Sequence, residues 1–158
     1  MALRLLAVGT RVPAWVQAGF ADYARRLPGP YRLELTEIPP ARWMRAGDVE
    51  RLKREEGRRL LAAAPTAAFL VALDVQGRMR SSEALARELG VWQGSGRPVA
   101  FLVGGAEGLS GECLEAASDH WSLSPLVFPH ALVRVILAEQ LYRAYSSLTG
   151  QPYHRGSS

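Results

Sequence analysis

Apolar blocks and amphipathic stretches take turns along this chain, and most blocks are closed by glycine or proline. Leu3 to Val8 reads as a buried strand ended by Gly9-Thr10. Pro13 then opens a helix whose apolar face is Val16, Phe20, Tyr23 and Leu27. Pro28-Gly29-Pro30 stops it. Tyr31 to Ile38 alternates apolar and polar residues, as a strand with one wet face does, and Pro39-Pro40 closes it. Asp48 is placed to cap a helix running to about Ala63. Ala68 to Leu73 is apolar throughout and predicts a central strand, followed by a loop containing Gly77. Ser81 or Ser82 caps a helix through Leu89. Pro98 to Val103 is a further buried strand, followed by Gly104-Gly105. A short helix follows Ser110, a brief strand lies near Trp121-Ser122-Leu123, and Pro129 opens a last helix that is apolar on most faces from Leu132 to Tyr145. This order predicts an α/β fold, one mainly parallel sheet flanked by helices. With no linker, repeat or low-complexity segment, the chain reads as a single domain over residues 1–155, with 156–158 as a flexible tail.

Composition adds little except in its charge. The chain has 158 residues, 48% hydrophobic and 22% charged, which is ordinary for a globular protein. No apolar run approaches the roughly 20 residues that span a bilayer. Met1 to Val8 is too short for a signal peptide and no small-residue cleavage site follows it. Cys113, the only cysteine, precludes an internal disulfide and favours a reducing, cytoplasmic setting. Its place near a helix start fits packing better than nucleophilic work. The net charge of +4 is uneven: residues 1–79 carry 13 basic against 8 acidic side chains, residues 80–158 carry 6 against 7. The first half therefore suits an anionic partner such as nucleic acid. Within 42–59, Arg42, Arg45, Arg51, Lys53, Arg54, Arg58 and Arg59 are interleaved with four acidic residues. Glu50–Arg54 and Glu55–Arg59 stand at i,i+4 spacing, which equally serves a solvated helix with no partner. Charge alone leaves the two readings even.

Candidate chemistry gathers where strands end. In open α/β sheets ligands bind beyond the carboxyl ends of the strands, and three ends stand out: Leu73-Asp74, Val103-Gly104-Gly105 and Leu123-Ser124-Pro125. Gly104 to Ser110 has three glycines in five residues, which lets backbone approach a ligand, or simply makes a tight turn. It matches neither G-x-G-x-x-G nor a P-loop, and Glu107 would repel a pyrophosphate, so a dinucleotide or nucleoside triphosphate site is disfavoured. In Ser122 to His130 two prolines bracket apolar residues. The backbone there cannot continue a ladder, and its N–H and C=O groups need other partners, for which adenine edges are suited, with Leu126 and Phe128 against the ring faces. His130 stands at a helix start, where the dipole disfavours imidazolium; it fits a capping role as well as a chemical one. Tyr153-His154-Arg155 groups a phenol, an imidazole and a guanidinium after the last helix. No His/Cys spacing offers a metal site.

Four segments, Gly104 to Ser110, Ser122-Leu123-Ser124, Pro129 to Val135 and Tyr153-His154-Arg155, together with Ala7 to Thr10, Pro13 and Trp15, resemble the ribosomal RNA large subunit methyltransferase H family of the SPOUT class. The likeness runs from residue 1 to about 155. It implies a C-terminal deep trefoil knot, a feature otherwise almost absent from proteins. It also implies S-adenosyl-L-methionine, bent, as cofactor, held by Leu73, Gly104, Leu123, Ser124, Pro125, Leu126, Val127 and Phe128. Further implications are a homodimer with the active site completed across the interface, and methylation of N3 of a pseudouridine in helix 69 of 23S rRNA in the ribosome. Neither membrane nor metal enters this reading. The catalytic candidates are His154 as proton acceptor, Arg155 for a phosphate or a developing oxyanion, Tyr153 for stacking or hydrogen bonding, and His130 to orient tail or base. The chain departs from the family at Pro125, where a small residue is expected, and in the added Gly156-Ser157-Ser158. Two rivals are a non-catalytic ribosome-binding protein and a SPOUT enzyme acting on another RNA such as tRNA.

Overall fold

A computed structural model describes residues 2–42 and 48–155, with the side chains of 154 and 155 outside the description. Arg45 and the 156–158 tail, both named above, lie outside the described residues. Five strands, β1 (Leu3–Val8), β2 (Leu33–Ile38), β3 (Phe69–Met79), β4 (Val99–Val103) and β5 (Asp119–Ser122), form one sheet in the order β2-β1-β4-β3-β5. All four pairings are parallel. Helices α1 (Ala14–Ala24), α2 (Val49–Ala63), α3 (Ser82–Ser95) and α4 (Gly111–Ala116) provide the crossovers, and α5 (His130–Thr149) follows the last strand.

The period of two in the strands divides the core. Leu3, Leu5, Ala7, Val99, Phe101, Val103 and Val71 face the layer that holds Phe20 of α1, Leu85, Leu89 and Trp92 of α3, and Leu137 and Leu141 of α5. Leu6, Val8, Ala100, Leu102 and Ala72 face the opposite layer, with Leu60 of α2 and Cys113 of α4. Both faces of β4 are covered, and so are those of β1 apart from Arg4, which pairs with Glu34 of β2; hence these strands are otherwise apolar. The central strand is β4, between β1 and β3; the run Ala68–Leu73 takes the place next to the edge.

Several boundaries differ from the sequence reading. The expected loop at Gly77 is strand: after an irregularity between Leu73 and Arg78, β3 resumes pairing with β5 through Arg78–Trp121 and Met79–Ser122. A Cβ on Gly77 would stand 2.7 Å from the backbone carbonyl of His120, so the close approach of two backbones requires glycine here. Helix α3 continues to Ser95, past Leu89, because Trp92 extends its buried stripe; Gly96 at φ +72° ends it. Ser81 is its cap, accepting from Ala84 N–H at 3.0 Å. Tyr31 belongs to a short 3-10 turn, Gly29–Tyr31, rather than to β2. Asp48 precedes α2 as expected, without a side-chain capping bond. Along α2, Glu55 bonds Arg58 and Arg59, whereas Glu50 pairs with Lys53 at 3.6 Å rather than with Arg54.

Because every strand runs the same way, all the strand-to-helix connections open on one edge of the sheet. From β3 the chain returns inward to β4, and from β4 it passes outward beyond β3 to β5. Connections diverging in this way leave a crevice above the strand ends.

Candidate functional site

That crevice is a cavity of about 410 Å³, within the roughly 300–1,000 Å³ common for small-molecule sites. Leu73, Gly104, Leu123, Ser124, Leu126, Val127 and Phe128 all line it, so three strand ends distant in sequence converge on one space. Pro125, exposed, is not among the lining residues. His130, half-buried at the start of α5, completes one wall. Asp74, named with its strand end, lines it as well; Val75, Trp121 and Val133, which also line the cavity, were not singled out from the sequence. Val133 follows His130 by three positions and so shares its helix face, a signal that was available.

The walls are built locally. Gly104 leaves the central strand, and the following turn is closed by a bond from Gly108 N–H to Gly105 O at 3.0 Å. Ser110 then caps α4, its hydroxyl accepting from Cys113 N–H at 3.2 Å. On the other side, Ser122 Oγ donates to Ser124 O at 3.1 Å, and Leu126 N–H donates to Ser124 Oγ at 3.0 Å. Two backbone groups of this irregular segment are thus satisfied by the chain's own serines rather than by a ligand. Leu126 and Val127 remain 69% and 83% exposed, an apolar lip that only an occupant or a partner would cover.

A buried guanidinium supports the floor. Arg134, one turn beyond His130 on α5 and 1% exposed, donates to Glu37 Oε2 at 2.6 Å and to Gly9 O at 2.8 Å. It ties the ends of β1 and β2 to α5. Gly9 has φ +128°, and a Cβ there would stand 3.2 Å from Arg134 Nη2 and 3.7 Å from His130 Nε2. Arg134 lies within the Pro129–Val135 motif, yet its spacing gave it no role; an Arg four residues from His130 on an otherwise apolar face was the visible sign.

The tail lies elsewhere. Residues Pro152–Arg155 form a 3-10 turn packed on α5. Tyr153 donates its hydroxyl hydrogen to Glu139 Oε2 at 2.9 Å, and its ring meets Tyr142 edge-on at 4.8 Å. Burial, then hydrogen bonds with Tyr23 and Glu139, push its phenol well above the ordinary range, so it keeps its proton. Nine residues of helix, about 14 Å at 1.5 Å per residue, separate Glu139 from His130. Tyr153 and the cavity wall at His130 of one chain are therefore apart. The side chains of His154 and Arg155 lie outside the described residues.

Burial raises the Cys113 thiol, leaving it unreactive, as its packing position suggested. Among the described residues no group of three or more His, Cys, Asp or Glu could hold a metal ion, and no helix is long and apolar enough to cross a membrane.

A Xanthomonas axonopodis pv. citri (strain 306) protein named Ribosomal RNA large subunit methyltransferase H is 52% identical over 155 residues, covering 98% of this chain and 99% of the relative. Among solved structures, one described as a probable methylase family protein from Haemophilus influenzae Rd KW20 superimposes with a TM-score of 0.54 at 12% identity. That match covers 99% of this chain and 71% of the other. Another, from Legionella pneumophila, assigned as a methyltransferase and solved in complex with the bound cofactor SAM, gives 0.50 at 11% identity over 91% of this chain and 66% of the other. Both likenesses concern the fold. The family model described as Predicted SPOUT methyltransferase matches residues 1–154, and the chain belongs to the SPOUT methyltransferase family.

Proposed function

We propose that this protein is an S-adenosylmethionine-dependent methyltransferase that modifies N3 of a pseudouridine in helix 69 of 23S rRNA, in the cytoplasm and as a homodimer. The observation that carries the reading is the convergence of the β3, β4 and β5 ends on one cavity with apolar walls, in a chain 52% identical to a relative named for large-subunit rRNA methylation. The residues suit the donor. Leu123, Leu126 and Phe128 offer faces to an adenine, the backbone around Gly104 can approach closely, and Asp74 supplies a carboxylate for a cationic ligand. Threading of the C-terminal segment into a trefoil knot is part of this proposal, as is a single domain over residues 1–155.

S-adenosylmethionine supplies an electrophilic methyl on a sulfonium, for which alignment matters more than covalent help. The protein must then place the base and take its N3 proton. His154 is the proposed acceptor, since imidazole near neutral pH suits that work. Arg155 steadies a phosphate or the negative charge developing on the base. Tyr153, with its phenol protonated and held on α5, anchors the tail rather than serving as a base. His130 orients the base from the cavity wall. Leu73, Gly104, Leu123, Ser124, Leu126, Val127 and Phe128 hold the donor, and Pro125 stiffens their loop from outside the cavity. The separation of Tyr153 from the cavity wall at His130 along α5 supports a homodimer in which one protomer's tail serves its partner's cavity.

Mass mapping of rRNA from cells lacking the gene, and from the same cells with it restored, tests this reading. The helix 69 pseudouridine should lose its methyl in the first and regain it in the second. A methyl that persists, or is lost from tRNA instead, would refute the target. Failure of S-adenosylmethionine to bind in calorimetry would favour a non-catalytic ribosome-binding role.

A further inference from the structure

Glu56, on α2, is only 4% exposed although it is a carboxylate within the cationic half of the chain. Its Oε2 accepts from Ala41 N–H at 3.1 Å, and its Oε1 is buried with no partner. An unpartnered buried acceptor is costly, so its retention calls for a reason. The group it faces is the glycine turn of the cavity. A Cβ on Gly105 would stand 3.3 Å from Glu56 Oε1, 3.6 Å from Oε2 and 3.1 Å from Val8 Cγ1. The adjacent Gly57 presses α2 against the far end of the same loop: a Cβ there would be 2.3 Å from Ser110 Oγ and 3.1 Å from Cys113 Sγ. Cys113 Sγ also approaches Gly57 O at 3.6 Å. On its other side α2 holds the segment after β2, through Arg59 Nη1 donating to Pro39 O at 2.8 Å and through the Glu56–Ala41 bond. Arg42, exposed, follows directly. A single side chain thus lies between the turn that walls the cavity, where it fills the space a Cβ on Gly105 would need, and the segment at Ala41, which it bonds.

We propose that Glu56 is a positioning residue that locks the Gly105–Gly108 turn to the segment after β2, so that donor binding in the cavity and RNA binding on the arginine-rich side are coupled through it. The assignment rests on the donor site proposed above. An RNA that orders the segment at Ala41 and Arg42 holds Glu56 against the turn, and a donor that orders the turn does the reverse, as reciprocal coupling requires. Loss of the side chain leaves a gap between the two segments and frees each from the other.

The test uses the full chain with Glu56→Ala and Glu56→Gln, in two readouts. Backbone hydrogen exchange without ligand should quicken in Glu56→Ala both at Ala41 and at Gly105–Gly108, while the β1 and β4 amides stay protected. Exchange that quickens at Ala41 alone overturns the proposal, and this readout holds even for a protein that binds no donor. Calorimetry should then show S-adenosylmethionine bound about tenfold more weakly by folded Glu56→Ala than by wild type, a scale usual for coupling through packed side chains. The gain in donor affinity that a helix 69 RNA hairpin gives wild type should vanish as well. Glu56→Gln, which keeps the shape of the side chain and an amide oxygen for Ala41, should restore both properties. A variant that only melts earlier, with donor affinity and RNA coupling intact, or a Gln variant as impaired as Ala, overturns the proposal. Absence of donor binding in wild type instead refutes the proposed donor site.

Discussion

Gly104→Ala puts the cavity's construction to a quantitative test. A Cβ at this position would stand 2.4 Å from Gly108 C, 2.5 Å from Gly108 O and 2.8 Å from Leu109 N. All three are backbone atoms, so no rotamer change relieves the clash; restoring ordinary contact moves the Gly105–Gly108 turn by about 1 Å, given carbon contacts of roughly 3.5 Å. Overpacking in a well-packed site costs about 1–3 kcal/mol, and a backbone obstacle puts this substitution near the upper end. The same shift displaces a wall of the cavity. Misplacement on that scale weakens function by about a hundredfold in well-fitted sites, so S-adenosylmethionine should bind at least tenfold more weakly. Urea denaturation gives the first quantity and calorimetry on the folded variant the second. Gly111→Ala is the control, because a Cβ at that exposed position meets nothing within 4 Å; it should stay within about 0.5 kcal/mol of wild type, as uneventful surface substitutions do, with unchanged donor affinity. A Gly104→Ala protein as stable and as tight as that control would refute both the close approach and the loop's part in the site.

Four further outcomes are expected. Arg134→Met removes two charge-assisted bonds to Gly9 O and Glu37; since the Glu37 side chain is 36% exposed and can regain water, the loss should be about 3 kcal/mol in urea melts, and no loss would contradict the tie. The Glu55 carboxyl is held at about 2, first by its hydrogen bond with Arg58 and then by Arg59. Its contribution is present above the unfolded value near 4.5 and lost as pH falls through about 2, so Glu55→Gln should flatten that acid limb of Tm against pH. Cys113 should resist a thiol reagent in the native protein and react in urea; rapid native reaction would contradict its buried, raised thiol. His154→Ala should lower methyl transfer by about 10²–10⁴-fold and change its pH profile while donor affinity holds; full rate at every pH would remove His154 from the proton path.

Local pattern carried the fold where burial is two-sided. β4, and β1 apart from Arg4, are apolar runs because helices cover both faces, and the chain shows this directly. It failed at Asp74–Met79, where the residues alternate and include Gly77. Whether that stretch is loop or strand depends on β5, more than forty residues away, passing at backbone contact. Helix α3 was cut short at Leu89 for a simpler reason: Trp92 still keeps the helical period, and only Gly96 stops it. At the site, the rule that ligands lie beyond strand ends brought Leu73, Gly104 and Leu123 together. It had no means of finding Trp121, which comes from within β5, or Arg134, whose partners on β1 and β2 are about a hundred residues distant. The place of Tyr153 on α5 was equally hidden, since Glu139 and Tyr142 look like ordinary helix residues until the chain turns back at Gly150.

The central claim is that the cavity above β3, β4 and β5 holds a methyl donor for a base of large-subunit rRNA. Incubating the purified protein with S-adenosylmethionine carrying a labelled methyl and with ribosomes from cells lacking the gene, then locating the label by nuclease digestion and mass spectrometry, tests it directly. Label should appear on N3 of the helix 69 pseudouridine with wild type and fall greatly with Gly104→Ala. Label on another nucleotide, on tRNA, or nowhere would contradict it.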